Sequence, residues 1–272
     1  MPQENCRIED RGTHLVVVND NPQRRNALTA GFYSGLREAL AQAAAEPRIA
    51  AVIVTGAEGF FCAGGDLTVL MTAPQMTHAQ RQAAIEDLQS LVRAMIDCPR
   101  PVIAAVEGGA AGAGISLALA CDLVVAGRDA RFTASYVNAG LIPDGGLSGS
   151  LTAALPPALA AEICLLGQPI GAERMAALGA INAAVEPGTA LAAAEEIAVR
   201  LAQGPAGAQA AIKALLTGAR AALMEAQLDA EVEPMALALG SAEAAEGMAA
   251  FLGKRAAGFA ALRRGQDSVG SN

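Results

Sequence analysis

Short apolar runs alternate along this chain with longer stretches of mixed character. His14-Leu-Val-Val-Val-Asn19, Ala50 to Thr55 (AAVIVT), Pro101 to Val106 (PVIAAV) and Leu123 to Ala126 have the pattern of strands. Asn21-Pro22 ends the first with a turn signal. Residues 29–45, 67–71, 77–97 and 114–121 read as helices, with Thr29 as the N-cap of the first. After the glycine-rich turn at 144–149 the chain reads mainly helical, apart from a turn-like segment from Gly179 to Val185. From Gln203 onward, Ala-rich helical segments are broken by Gly204-Pro205 and Gly240. This alternation predicts an α/β layer architecture. It divides into a core over 1–202, a helical region over 203–263 and a polar tail, 264–272, expected to be disordered.

Composition narrows the function. A chain of 272 residues can bury a large core as one domain, or as a domain with an appendage. Aromatics are only 3% and Trp is absent, so there is no stacking platform for single-stranded nucleic acid. A net charge of -8 argues against a broad phosphate-binding surface, so any polyanionic ligand needs a local basic spot. The five cysteines, Cys6, Cys62, Cys98, Cys121 and Cys164, form no CxxC redox or zinc pattern and read as buried thiols of a reducing compartment. No metal site is expected. The N-terminus lacks the apolar core of a secretory signal, and Glu107 and Asp122 interrupt the most apolar stretch, 101–126. A soluble, cytoplasmic protein with no membrane partner is the expectation.

Three glycine-rich places link strands to helices. In Phe60-Phe-Cys-Ala-Gly-Gly-Asp-Leu67, adjacent glycines let the backbone approach a ligand, and Asp66 can cap the next helix. Such a loop aims unpaired N–H groups outward, where developing negative charge is stabilised. Val106-Glu-Gly-Gly-Ala-Ala-Gly-Ala-Gly-Ile115 is neither a Walker A loop nor a GxGxxG fingerprint, and no Lys follows it. In Gly140-Leu-Ile-Pro-Asp-Gly-Gly146, Asp144 sits in a strong turn signal. Taken singly, each has a plain structural reading: a tight turn, close helix packing, or an Asp that caps the following helix.

Together and in order, these segments resemble the enoyl-CoA hydratase/isomerase (crotonase) family. The resemblance runs from about residue 12 to 260. It also includes Asn21-Pro-Gln-Arg-Arg-Asn-Ala-Leu28, Arg100-Pro-Val-Ile-Ala-Ala-Val-Glu-Gly108, Ser116-Leu-Ala-Leu-Ala-Cys-Asp122 and Ala130-Arg-Phe132. It implies a spiral of ββα units whose C-terminal helices build trimers or dimers of trimers. It also implies an acyl-CoA site in the 1–202 core, with no cofactor beyond the CoA carried by the substrate. By motif position, the N–H groups of Gly65 and Ala113 would form an oxyanion hole for a thioester enolate. Ala27, Ala63, Asp66, Leu67 and Gly112 would lie along the bound thioester. Arg24 and Arg25 match the turn that contacts CoA. Lys254-Arg255 resembles a C-terminal basic pair that reaches CoA, or is ordinary surface charge.

The two glutamates of the family's hydratases fall on Ser116 and Tyr136, neither a carboxylate. Asp144 instead matches the proton-shuttling aspartate of dienoyl-CoA isomerases and of the phenylacetate-pathway ring-epoxide isomerases, the nearest type. The leading expectation is therefore isomerisation with Asp144 as base. Hydration by displaced groups, with a water held by Ser116 and Asp144, is the alternative, and a non-catalytic acyl-CoA-binding relative is a third. Dehalogenation needs an activating His near Leu91, where none stands; His78 reads as a solvated residue on a loop. Gly146-Leu-Ser-Gly-Ser150 fails as a hydrolase elbow at its last position. Glu107 and Asp122 read as structural, and the acyl pocket is expected from 68–92.

Overall fold

The apolar runs lie side by side in a six-stranded sheet. The computed structural model describes residues 4–262, so the tail expected over 264–272 lies outside the described residues. The sheet orders β1 (Cys6–Asp10), β2 (His14–Asn19), β3 (Ala51–Gly56), β4 (Val102–Val106), β6 (Leu123–Gly127) and β9 (Ala183–Val185). β1 pairs antiparallel with β2, and every later pairing is parallel. Alternate residues of one strand feed opposite cores. Leu15, Val17, Val52 and Val54 join the cluster under the helices α1 (Ala30–Ala45) and α3 (His78–Asp97). Val16, Val18, Ala51 and Ile53 pack against Ala190, Ala194 and Ala198 of α8 (Ala190–Ala202). Burial on both faces is why these strands read as continuous apolar runs rather than alternating ones.

A second, three-stranded sheet turns away from the first: β5 (Gly109–Ala111), β7 (Arg131–Thr133) and β8 (Ile170–Gly171). β4 passes directly into β5 and then into α4 (Ala113–Ala120), and β6 passes into β7. After β3 the chain makes the same turn, where Cys62 bridges Ala110, before α2 (Leu67–Leu70). This is the spiral of ββα units. Three features differ from expectation. β1 carries Arg7, Glu9 and Asp10, the charges that protect an exposed sheet edge, so hydrophobic patterning misses it. The second sheet has strands of two or three residues, too short to signal themselves. Residues 183–185 form β9 rather than a turn.

α5 (Leu147–Ala154), α6 (Pro157–Leu166) and α7 (Ala172–Ala177) follow the third glycine turn. The expected breaks hold: α8 ends at Ala202, α9 spans Ala206–Leu239, and α10 spans Ala242–Leu252. α9 is fastened to the core. The ammonium of buried Lys213 donates to Asp122 Oδ2 at 2.7 Å and to the carbonyls of Met95 and Arg100 at 3.1 Å. Gln89 of α3 donates to the carbonyl of Leu228. No single described helix is long and apolar enough to cross a membrane. All five cysteines are free thiols, four buried and Cys164 half-buried.

Candidate active site

The first two glycine loops lie against each other. Cys62 N–H donates to the Gly109 carbonyl at 3.3 Å, and Ala111 N–H to the Cys62 carbonyl at 2.9 Å. Gly64, at φ +86°, sits where the loops touch: a Cβ there would lie 2.6 Å from the Ala111 carbonyl oxygen and 2.9 Å from the Ala113 nitrogen. Only a residue without a side chain allows this approach. The next residue, Gly65, and Ala113, first residue of α4, are thereby brought to one place. Neither N–H has an acceptor among the described residues. Gly112 ends the second loop and donates to the Thr133 carbonyl at 3.0 Å. Backbone donors without acceptors at loop-to-helix junctions are able to receive negative charge.

One helical turn along α4 from Ala113 stands Ser116, fully buried. Its hydroxyl lies 2.8 Å from the main-chain carbonyl of Asp144 and 3.0 Å from Tyr136 Oη. Tyr136, on the 3-10 turn Ser135–Ala139, donates its phenol hydrogen to Asp144 Oδ1 at 2.7 Å. The three positions form one buried network, and no side-chain donor among the described residues takes Asp144 Oδ2. Burial drives the Asp144 carboxyl up to about 7; the Tyr136 hydrogen bond opposes the rise and the nearby Glu231 charge adds to it. The Tyr136 phenol is itself held far above its usual range by burial and by the Asp144 charge. A carboxyl that exchanges its proton near neutrality is suited to general acid–base chemistry.

Asp144 does not cap the helix that follows it. The N-cap of α5 is Gly146, with no side-chain cap of its own. The caps come from Glu231 on α9: Oε2 accepts from Gly146 N–H at 2.7 Å, and Oε1 from Ser148 N–H at 3.0 Å and its hydroxyl at 2.6 Å. The plain reading of Asp144 as a cap is thereby overturned. Sequence reasoning missed Glu231, since an acidic residue in a long Ala-rich helix carries no local signal.

Asp66 does cap α2, accepting from Thr68 N–H at 2.9 Å. Burial acts upward on its carboxyl, but Thr68 and Arg24 outweigh it and hold it below the usual range. Arg24 is committed here, with Nη1 2.7 Å from Asp66 Oδ2. Arg25 adopts a left-handed backbone, and its guanidinium lies 5.6 Å from the Phe60 ring centroid. It lines a cleft of about 330 Å³ with Pro22, Asn26 and Glu58. Ala27 is buried beneath this turn, Ala63 N–H donates to the Arg25 carbonyl, and Leu67 begins α2 against the core. Arg255, just past the end of α10, is paired with Glu246 of that helix at 2.6 Å, while Lys254 is exposed beside it. His78 stands on no loop: it opens α3 and pairs with Glu233 at 2.9 Å. Glu107 accepts from the first N–H of α8 at 2.7 Å, and Asp122 joins β4 to Lys213.

The spiral of ββα units thus carries two amides without acceptors, at Gly65 and Ala113, and a buried carboxyl at Asp144. Comparison with known proteins gives the particular family. The profile of enoyl-CoA hydratase/isomerase matches residues 11–261, and the chain belongs to that family. It is similar to the 1,2-epoxyphenylacetyl-CoA isomerase of Escherichia coli K12, 35% identical with 92% of this chain and 95% of that one covered. It is also similar to the 2,3-dehydroadipyl-CoA hydratase of the same organism, 32% identical with 90% and 94% covered. Among solved structures, an enoyl-CoA hydratase from Mycobacterium avium subsp. paratuberculosis K-10 superposes with a TM-score of 0.85 at 30% identity, covering 94% of this chain and 98% of that one.

Proposed function

We propose that the protein isomerises an enoyl-CoA thioester, by double-bond migration or at a ring epoxide, with Asp144 as the single proton-shuttling base. The observation that carries this reading is the buried Asp144 carboxyl, held through Oδ1 by Tyr136, with Oδ2 left to act. In a 3-enoyl thioester, Oδ2 removes a proton from the carbon between the carbonyl and the double bond. The electron pair passes to the thioester oxygen, where the Gly65 and Ala113 N–H groups receive it. Donors of this kind contribute about 3–4 kcal/mol each to the transition state. The neutral carboxyl then returns the same proton two carbons further along, giving the 2-enoyl isomer. No water is consumed, and one base serves both transfers. Ser116 and Tyr136 supply no carboxylate of their own; they hold Asp144.

The nucleotide end of CoA is assigned to the cleft beside Arg25, since Arg24 is occupied by Asp66. A trimer is proposed as the assembly, in keeping with the exposed Ile212, Leu215 and Leu216 on α9. Hydration is the second reading, favoured by the hydratase among the similar proteins. A panel of 2-enoyl-, 3-enoyl- and ring-epoxide acyl-CoAs decides between them. The isomerase reading expects 3-enoyl or epoxide turnover well above hydration of the 2-enoyl thioester, and faster hydration sinks it.

A further inference from the structure

Asp144 and Glu231 are the two buried carboxyls among the described residues. They are far apart in the sequence and meet at one turn. Glu231 is met by N–H and O–H donors rather than by a cation: Gly146 N–H, Ser148 N–H and the Ser148 hydroxyl. Those donors belong to the turn that follows Asp144 and to the first turn of α5.

That turn cannot fix its own shape. Gly145 and Gly146 have φ of +64° and +74°, and consecutive glycines are the freest stretch a chain can have. The helix they lead into has no side-chain cap of its own. The turn is gripped from two sides. On one, Ser116 holds the Asp144 carbonyl, and a Cβ on Gly145 would lie 3.0 Å from Ser116 Cβ. On the other, both Glu231 oxygens hold residues 146 and 148. The turn's own closing contact, Leu147 N–H to the Asp144 carbonyl at 3.4 Å, is long, so these two grips matter to how the backbone aims Asp144.

We propose that Glu231 is a positioning residue for Asp144, clamping the Asp144-Gly145-Gly146 turn from α9 and setting the charge environment of its carboxyl. The proposal rests on the reading of Asp144 as the base. The titratable and polar groups facing the pair are Tyr33 of α1, Ser116 of α4, Tyr136, Ser148 of α5, Cys164 of α6 and Gln227 of α9. No cation among the described residues contributes to the shift of Asp144, and the Glu231 charge adds to the upward push of burial. Burial pushes the Glu231 carboxyl itself upward, and the hydrogen bonds from Ser148 and Gly146 oppose that rise.

The test is E231Q, whose side chain keeps the shape but loses the charge and presents an N–H₂ to one of the donors. The ¹³C carboxyl signal of Asp144, assigned by its loss in D144N, is titrated in wild type and E231Q. In parallel, kcat and KM for a 3-enoyl-CoA are measured against pH. The Asp144 midpoint is expected to fall by half a pH unit or more, and kcat by about tenfold, with KM within about twofold. S148A keeps the charge and loses one grip; it is expected to lower kcat without lowering the midpoint. A role limited to capping α5 predicts a lower Tm with both midpoint and kcat unchanged, and that result overturns the proposal. Should D144N turn over like wild type, the base assignment fails by itself. The titration then still decides whether Glu231 sets the state of Asp144, an unchanged midpoint overturning that claim too.

Discussion

Replacing Asp144 by Asn tests the buried carboxyl without any substrate. The side chain keeps its size, and its amide oxygen still accepts from Tyr136 Oη, which lies 2.7 Å from Oδ1 in the native protein. What disappears is the ability to carry charge. In the folded protein this carboxyl exchanges its proton at about 7, against 3.8 ordinarily. Below pH 4 both folded and unfolded chains hold the proton, and the group contributes nothing to pH dependence. Between about 4 and 7 the folded chain keeps a proton that the unfolded chain releases, so stability falls as pH rises. Above 7 the whole penalty is present, with a ceiling of about 4 kcal/mol. D144N is free of it. Relaxation around the charge halves the figure readily, leaving about 2 kcal/mol, or about 4–8 °C in Tm for a chain of this size. Over pH 5 to 8 the Tm difference between the two proteins therefore moves steadily in favour of D144N, about a third of the penalty being already present at pH 5. Contributions of other groups, including Asp10 and Glu246, whose carboxyls their arginine partners hold near 2, cancel in the difference. Parallel curves over this range would refute the assignment of a raised Asp144.

Three further outcomes follow from the same geometry. Y136F removes the hydrogen bond that opposes the rise of Asp144, so the acid limb of the kcat/KM profile moves above its wild-type midpoint near 7; an unmoved limb shows that the phenol does not touch the working carboxyl. G64A forces a Cβ to within 2.9 Å of the Ala113 nitrogen at a φ of +86°; it is expected to cost about 1–3 kcal/mol of stability and to lower kcat about a hundredfold by displacing an oxyanion donor. R25A is expected to raise KM for an acyl-CoA several-fold while kcat holds; equal loss for a pantetheine thioester lacking the nucleotide would place Arg25 elsewhere.

What the sequence makes legible here follows from how local each signal is. The parallel strands announce themselves because both of their faces are buried, so Val16 and Val17 are apolar for different cores. The paired glycines at 64–65 and the glycines of 108–114 mark close backbone approach, and the two loops do meet. Ser116, Tyr136 and Asp144 can each be singled out by motif position. That they form one hydrogen-bonded network is a tertiary fact, set by the turn of α4 and the 3-10 turn at 135–139. Arg24 shows the limit of a local signal: its charge suggests a phosphate ligand, and only the structure shows that its Nη1 is shared with Asp66 and Thr68. Glu231 and Lys213 lie in an Ala-rich helix where charged residues ordinarily face water, and only the docking of α9 buries them. Charged β1 and the two- and three-residue strands of the second sheet are invisible to patterning for the same reason, since their neighbours in space define them.

In the proposed reaction one carboxyl carries the proton from one carbon of a bound thioester to another. It is tested most directly by following double-bond migration of a 3-enoyl-CoA by NMR with wild type and D144N, while calorimetry measures binding of the 2-enoyl product to each. The account predicts that D144N binds the thioester within about threefold of wild type, yet migrates the double bond at least a thousandfold more slowly. Migration by a folded D144N at the wild-type rate would contradict it.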